Sequence, residues 1–211
     1  MGGKAAASPE PATLTVALDV PSAQILADEA LIIQDLQFVM DCCKRLLAEL
    51  AKPGEDRDPL VPQALWSAAL VAYARCFGKG KRFGLSTEDV RNLPLRGEVM
   101  KYHKWVVGER DQLTMHPANP FAATKVGAAL SRPDRGERRV EGIVILSTSR
   151  VLVDDTGVRQ LGGLASELAK QTAEKAQVQQ DFVLADAQQL NRDSLYKLPP
   201  LRMRSATDDT Q

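Results

Sequence analysis

The sequence predicts a mainly α-helical protein, an antiparallel four-helix bundle with one β-hairpin inserted before the last long helix. Three observations predict it. Ile32, Leu36, Val39, Cys43, Leu46 and Leu50 recur at alternating spacings of four and three residues, the stripe of a helix that buries one side in a bundle. Two further apolar segments and a last long one carry helical periodicity, with Pro and Gly at several of their borders, where such residues start and stop helices. Between the third and the last, the pattern changes to two short runs, "TKVGAALS" and "RVEGIVILS", around the turn-rich "RPDRGER". That change reads as a hairpin with a long tip, and helices joined by short connections stack as antiparallel neighbours.

Each element follows in order. Residues 1–20, rich in Ala, Pro, Gly and Ser, read as a flexible arm, residues 21–192 as one domain, and residues 193–211 as a flexible tail. The first helix spans about 22–51 and is halted by Pro53 and Gly54. The second lies in "DPLVPQALWSAALVAYARCFG", with Pro62 in its first turn and Gly78 past its end. It is apolar nearly all round, so it is expected to be central. Arg75, in its last turn, suits the negative end of the helix dipole. "GKGKR" forms a loop, Ser86 to Asp89 cap a short helical turn, and Pro94 breaks it. The third long helix starts at Arg96 or Gly97 and runs to Met115, with Val99, Tyr102, Val106 and Leu113 on one face and Pro117 ending it. The hairpin occupies about 123–147, with a mobile charged tip. A turn at 154–157 precedes the last helix, which carries Val158, Leu161, Leu164, Leu168, Val178 and Phe182 and ends near Asn191. Trp66 and Trp105 read as core anchors, and His103 as a surface histidine.

Composition bounds the function. Hydrophobic residues make up 44% of the 211, enough for a sizeable core. Lys plus Arg and Asp plus Glu both number 27. Zero net charge argues against a surface built wholly for nucleic acid and leaves room for a local basic patch. Cys42 and Cys43 are adjacent, so on a helix they point about 100° apart; with Cys76 they read as small buried hydrophobes of a reducing compartment. The N-terminus "MGGKAAASPEPATLT" lacks the apolar segment of a secretory signal, and Ala6 stands where a myristoylation signal takes Ser or Thr. The longest apolar stretch, Ala64 to Ala74, falls short of the ~20 residues of a membrane span. The expectation is a cytoplasmic protein without a membrane span. Asp154 and Asp155 have no histidine or third acid near them in sequence, so no metal site is expected, and no cofactor.

One stretch points to chemistry: "RDQLTMH", residues 110–116. An arginine offers a planar fork of donors to a phosphate, and a histidine titrates near neutrality and can move a proton. A second Arg–His spacing, Arg96 and His103 in "RGEVMKYH", starts beside Gly97 at an unsettled helix start, whereas Arg110 is followed by an acid deep in the third helix. Helical context plus "RDQLTMH" resembles the HEPN superfamily, over residues 22–192. The hairpin is not part of that family's minimal pattern. The resemblance implies a metal-independent ribonuclease of toxin or phage-defence type, with Arg110 as the family arginine, Asp111 as the polar residue after it and His116 as the histidine. It also implies a homodimer with a composite site, RNA as substrate, and an antitoxin or other protein as partner. Other members bind nucleotides or are inactive scaffolds, so a non-catalytic module is the alternative. Arg75, Lys79, Lys81, Arg82, Lys101 and Lys104 are expected to form, with Arg110, one basic wall for a phosphate backbone.

Overall fold

The structure, a computed structural model, describes residues 14–78, 80, 82–115, 122–132, 136–149 and 154–201. It is mainly helical: α1 (Pro21–Leu50), α2 (Leu60–Arg75), α3 (Thr87–Arg91), α4 (Val99–Met115), α5 (Asp155–Gln189) and α6 (Arg192–Leu195), with β1 (Ala122–Leu130) and β2 (Val140–Ser149) between α4 and α5. No helix among the described residues is long and apolar enough to cross a membrane. The chain divides into two compact units.

The larger unit, Asp28–Lys175, holds the core. Ile32, Leu36, Val39, Cys43 and Leu46, the stripe of α1, are all buried, and each fully buried Leu, Ile or Val contributes roughly 1.5–3 kcal/mol. They join Trp66, Leu70 and Tyr73 of α2, Val90 of α3, Val106 of α4, and Val158, Leu161, Leu164 and Leu168 of α5 in one cluster. α5 packs closely on α1 at Gly162, where a Cβ would lie 3.5 Å from the Cys43 Cβ, in ordinary van der Waals contact. Burial pushes the Cys43 and Cys76 thiols up to about 12, so they stay protonated, as buried apolar surroundings dictate.

Local signals set the borders. Asp58 accepts from the Leu60 amide at 2.9 Å at the start of α2. Ser86 and Asp89 form a reciprocal capping box on α3. The loop after α2 folds back so tightly that Leu85 N–H donates to the Cys76 carbonyl at 2.8 Å. A Cβ at Gly84 would sit 3.0 Å from the Gly78 carbonyl oxygen, so a side chain there would force the backbone of the loop to shift by a few tenths of an ångström. β1 and β2 pair antiparallel, from Ala122 opposite Ser149 to Leu130 opposite Val140. No hairpin side chain belongs to the core among the described residues.

The second unit comprises residues 1–27 and 176–211. Within it Val16 bridges Pro200, Ser22 Oγ donates to Asp186 at 2.5 Å, and Gln179 donates to the Ser22 carbonyl at 3.0 Å.

Glu29 of α1 breaks the apolar pattern. It is 5% exposed, and its Oε2 has no hydrogen-bond partner among the described residues. Burial raises its pKa, and Lys175 offsets this only in part. The folded chain therefore holds this proton to higher pH than the unfolded chain. Stability falls as pH rises from about 4.3 through the folded value. Glu29→Gln is expected to raise stability by about 1 kcal/mol at pH 7, with the gain shrinking towards zero near pH 4 in urea titrations at both values.

Candidate functional site

The functional residues named from the sequence fall mostly on α4 and on the loop after α2. On α4, His103, Val106 and Arg110 recur at three and four residues and so share one face. His103 and Val106 are buried. Arg110 continues that face but keeps 34% of its side chain exposed, with Nε 3.0 Å from the Asp111 carboxylate. Its guanidinium therefore sits at the edge of the core, where the inward face of α4 meets water, beside an acid. His116 lies outside the described residues, as do Lys79 and Lys81.

Arg75 and Arg82 converge, but on a carboxylate. Arg75 donates to Asp35 through Nε at 3.1 Å and through a terminal nitrogen at 2.5 Å, and Arg82 donates to the same group at 3.2 Å. Hydrogen bonding to Asp35 holds the Arg75 guanidinium above its ordinary value. Asp35 is 13% exposed, so two cations hold one nearly buried acid on α1 and tie the loop to that helix. The backbone of the loop is tied as well, by Phe83 N–H donating to Asp28 at 2.8 Å. Removing the acid would leave Arg82, only 28% exposed, without its counter-charge. Asp35→Asn is expected to cost about 1–3 kcal/mol, read as a lower urea midpoint with unchanged helical circular dichroism.

Among the described residues, Lys101 and Lys104 do not share a face with Arg110. Lys101 is ion-paired with Glu98 at 2.8 Å on the exposed side of α4, and Lys104 is also exposed. At about 100° per residue, Lys101 points roughly opposite to Arg110, and Lys104 about 120° from it. Helical phase separates groups that sequence proximity had put together.

His103 corrects the reading of a surface histidine. It is buried, its Nδ1 2.8 Å from the Tyr73 hydroxyl oxygen, with its ring 4.6 Å from that of Phe77. Burial, with Lys104 adding to it, lowers its pKa, so at neutral pH it is uncharged. Arg96 is exposed and lines a groove to which His103 does not contribute, so "RGEVMKYH" does not assemble an Arg–His pair. Trp66 is the core anchor expected, whereas Trp105 is 40% exposed.

The groove, about 710 Å³, was not anticipated. Tyr102 and Trp105 lie in its wall with ring centroids 5.5 Å apart, beside Arg96, Lys101 and Arg159. The Tyr102 hydroxyl donates to the Gly157 carbonyl at 2.6 Å, fastening α4 to the start of α5. The sequence signal was Trp105 itself, two positions after His103 and so on a different face of α4. Among the described residues no three His, Cys, Asp or Glu side chains gather as a metal site would require. No protein-family model, curated protein or solved structure matches the chain.

Proposed function

We propose that the chain is a HEPN-like, metal-independent endoribonuclease of toxin or phage-defence type, built on an antiparallel four-helix bundle and acting in the cytoplasm as a homodimer. The observation that carries this reading is the position of Arg110. It extends the buried face of α4 yet stays one-third exposed, and it contacts Asp111. A guanidinium held on a packed helix loses less freedom when it binds phosphate than one on a loose surface. In the proposed reaction His116 takes the proton of the ribose 2′-OH. That oxygen attacks the adjacent phosphorus, the bond to the 5′-oxygen breaks, and the leaving oxygen receives the proton that His116 took. The products are a 2′,3′-cyclic phosphate and a 5′-hydroxyl. Arg110 steadies the charge on the phosphoryl oxygens, and Asp111 orients Arg110. An antitoxin or other protein partner would restrain such an activity.

The test is cleavage of total RNA in a chelator by the wild type and by the Arg110→Ala/His116→Ala variant. RNA left equally intact by both removes the enzyme reading. A second reading is a non-catalytic HEPN-like module that binds a nucleotide or a partner. The groove with Tyr102, Trp105, Arg96, Lys101 and Arg159 favours it, and RNA bound but uncut by wild type would select it.

A further inference from the structure

The groove between α4 and the start of α5 joins an aromatic platform, a bare stretch of backbone and a row of cations. Tyr102 and Trp105 line it from α4, and Thr156, Arg159, Gln160 and Gly163 line it as one stripe over the first turns of α5. All of them belong to the larger unit. Trp105 is 40% exposed, although its ring lies 5.5 Å from that of Tyr102 and 6.2 Å from that of the buried Trp66. The indole is thus braced by two rings and still open to water, and such a face stacks readily on another planar ring. On α5 a Cβ at Gly163 would meet nothing within 4 Å, so the wall there is backbone with room in front of it. Arg96, Lys101 and Arg159 set three cations against one acid, Glu98, along the lining. Lys101 pairs with Glu98 and Arg159 with Asp155, both through exposed side chains, and pairs of that kind are weak enough to yield to a phosphate. No acid pairs with Arg96 among the described residues.

We propose that this groove binds a free purine nucleoside diphosphate, its base stacked on Trp105 beside Gly163 and its phosphates held by Lys101, Arg159 and Arg96. Size, charge and order each point that way. The groove, about 710 Å³, falls in the ~300–1,000 Å³ range of small-molecule sites, which are apolar with a few convergent polar groups. It is far larger than an inorganic anion fills. The excess of cations selects an anion, and the indole selects one that carries a flat ring. A purine covers more of that indole than a single ring does. Lys101 stands one helical turn, about 6 Å, before Trp105 on the same face of α4, and Arg96 lies further on, ahead of the first turn. The cations thus lead away from the indole in one direction, as phosphates lead away from a base. Arginine's planar fork matches phosphate oxygens. A terminal phosphate carries about −1.5 to −2 at pH 7, more than the single charge of each link in an RNA strand. Three cations gathered near one ring match that denser charge, which favours a free nucleotide over a strand.

This inference rests on the binding reading of the groove and not on the ribonuclease reading, and its experiment reads binding alone. Titration calorimetry with adenosine and guanosine diphosphates, adenosine and inorganic pyrophosphate is the measurement. At least one diphosphate is expected to bind the full-length wild type, about tenfold or more tighter than either adenosine or pyrophosphate, since stacking on an aromatic ring contributes that much per base. Binding is expected to quench tryptophan fluorescence at Trp105, because Trp66 is only 1% exposed. Arg96→Ala is expected to weaken the diphosphate about tenfold, the usual order for one charge-assisted contact to phosphate. Gly163→Met is expected to fill the groove and abolish binding. Its Cβ meets nothing and methionine is the better helix former, so circular dichroism and melting temperature should hold. Lys170→Ala, exposed on α5 and outside the groove, is expected to bind as the wild type does. So is Arg110→Ala/His116→Ala, which separates failure of this site from failure of RNA cleavage. A wild type that binds neither diphosphate at millimolar concentration overturns the proposal. So does pyrophosphate or adenosine bound as tightly as the diphosphates, or a folded Gly163→Met that binds like the wild type. An adenosine oligoribonucleotide bound more tightly than either diphosphate overturns it in favour of a strand.

Discussion

RNA incubated with the wild-type protein in a chelator is expected to be cut, and Arg110→Ala alone is expected to slow that cutting by about 10²–10³-fold, the usual effect of removing one donor from a developing oxyanion. His116→Ala removes the proton carrier and is expected to cost about 10²–10⁴-fold. The double variant should be little worse than the poorer single one, since groups acting in one step are strongly non-additive. Arg110→Lys separates charge from geometry. A lysine keeps the charge but lacks the planar fork, so cleavage restored by lysine would mean that a point charge suffices. Lys101→Ala is the control within the same helix. Its side chain points away from Arg110 and is paired with Glu98, so cleavage should persist nearly unchanged. Equal loss in Lys101→Ala and Arg110→Ala would indicate a general electrostatic effect and remove the special role of Arg110.

His103→Ala is expected to lower stability by about 2–4 kcal/mol, combining lost packing with a Tyr73 hydroxyl left unsatisfied in the core. Tyr73→Phe keeps the ring and removes only the oxygen, at about 1–3 kcal/mol. The two changes should be strongly non-additive, because each destroys the same 2.8 Å hydrogen bond. Acidity offers a second check. Folding lowers the His103 pKa, so the unfolded chain binds the proton first as pH falls through about 6.5. Stability from this group is complete above that value and declines below it, towards the folded value. Urea midpoints measured at pH 7.5 and 5.5 should fall more for the wild type than for His103→Ala. Equal falls would mean that His103 is charged in the folded protein.

Much of the helical order was legible because period and punctuation are local. The α1 stripe, Pro62, the Ser86 cap and the two β-branched runs each state their element without reference to anything distant. What was not legible depends on partners far along the chain. Asp35 lies 40 residues from Arg75 and 47 from Arg82, and nothing in "GKGKR" reveals that its arginine is spoken for by an acid on the first helix. Lys101 and Lys104 part from Arg110 for a related reason: proximity in sequence ignores helical phase, and Lys101 and Arg110 lie on opposite sides of one helix. His103 could have been placed from phase alone. It stands four residues after Val99 and three before Val106, both apolar, which is the signature of an inward position. Counting it as polar obscured that. For Trp105 the same rule works in reverse, since it falls two residues after His103 and turns outward. Of the candidate Arg–His stretch, only Arg110 and Asp111 can be placed, since His116 lies outside the described residues.

The Tyr73–His103 hydrogen bond has a mechanical consequence. His103 and Arg110 are seven residues apart, two turns of the same rigid rod, about 10 Å along its axis. The bond pins the rod's rotation at one point, and that setting is carried without slack to the other. Side chains ride about 5–6 Å from a helix axis, so a twist of roughly 10° sweeps the Arg110 position by about 1 Å, an error that can cost on the order of 10²-fold in a reaction needing alignment. α2 thus acts as the bearing in which α4 turns, and a change buried beneath Tyr73 would be felt as misaim at the far end of the shaft.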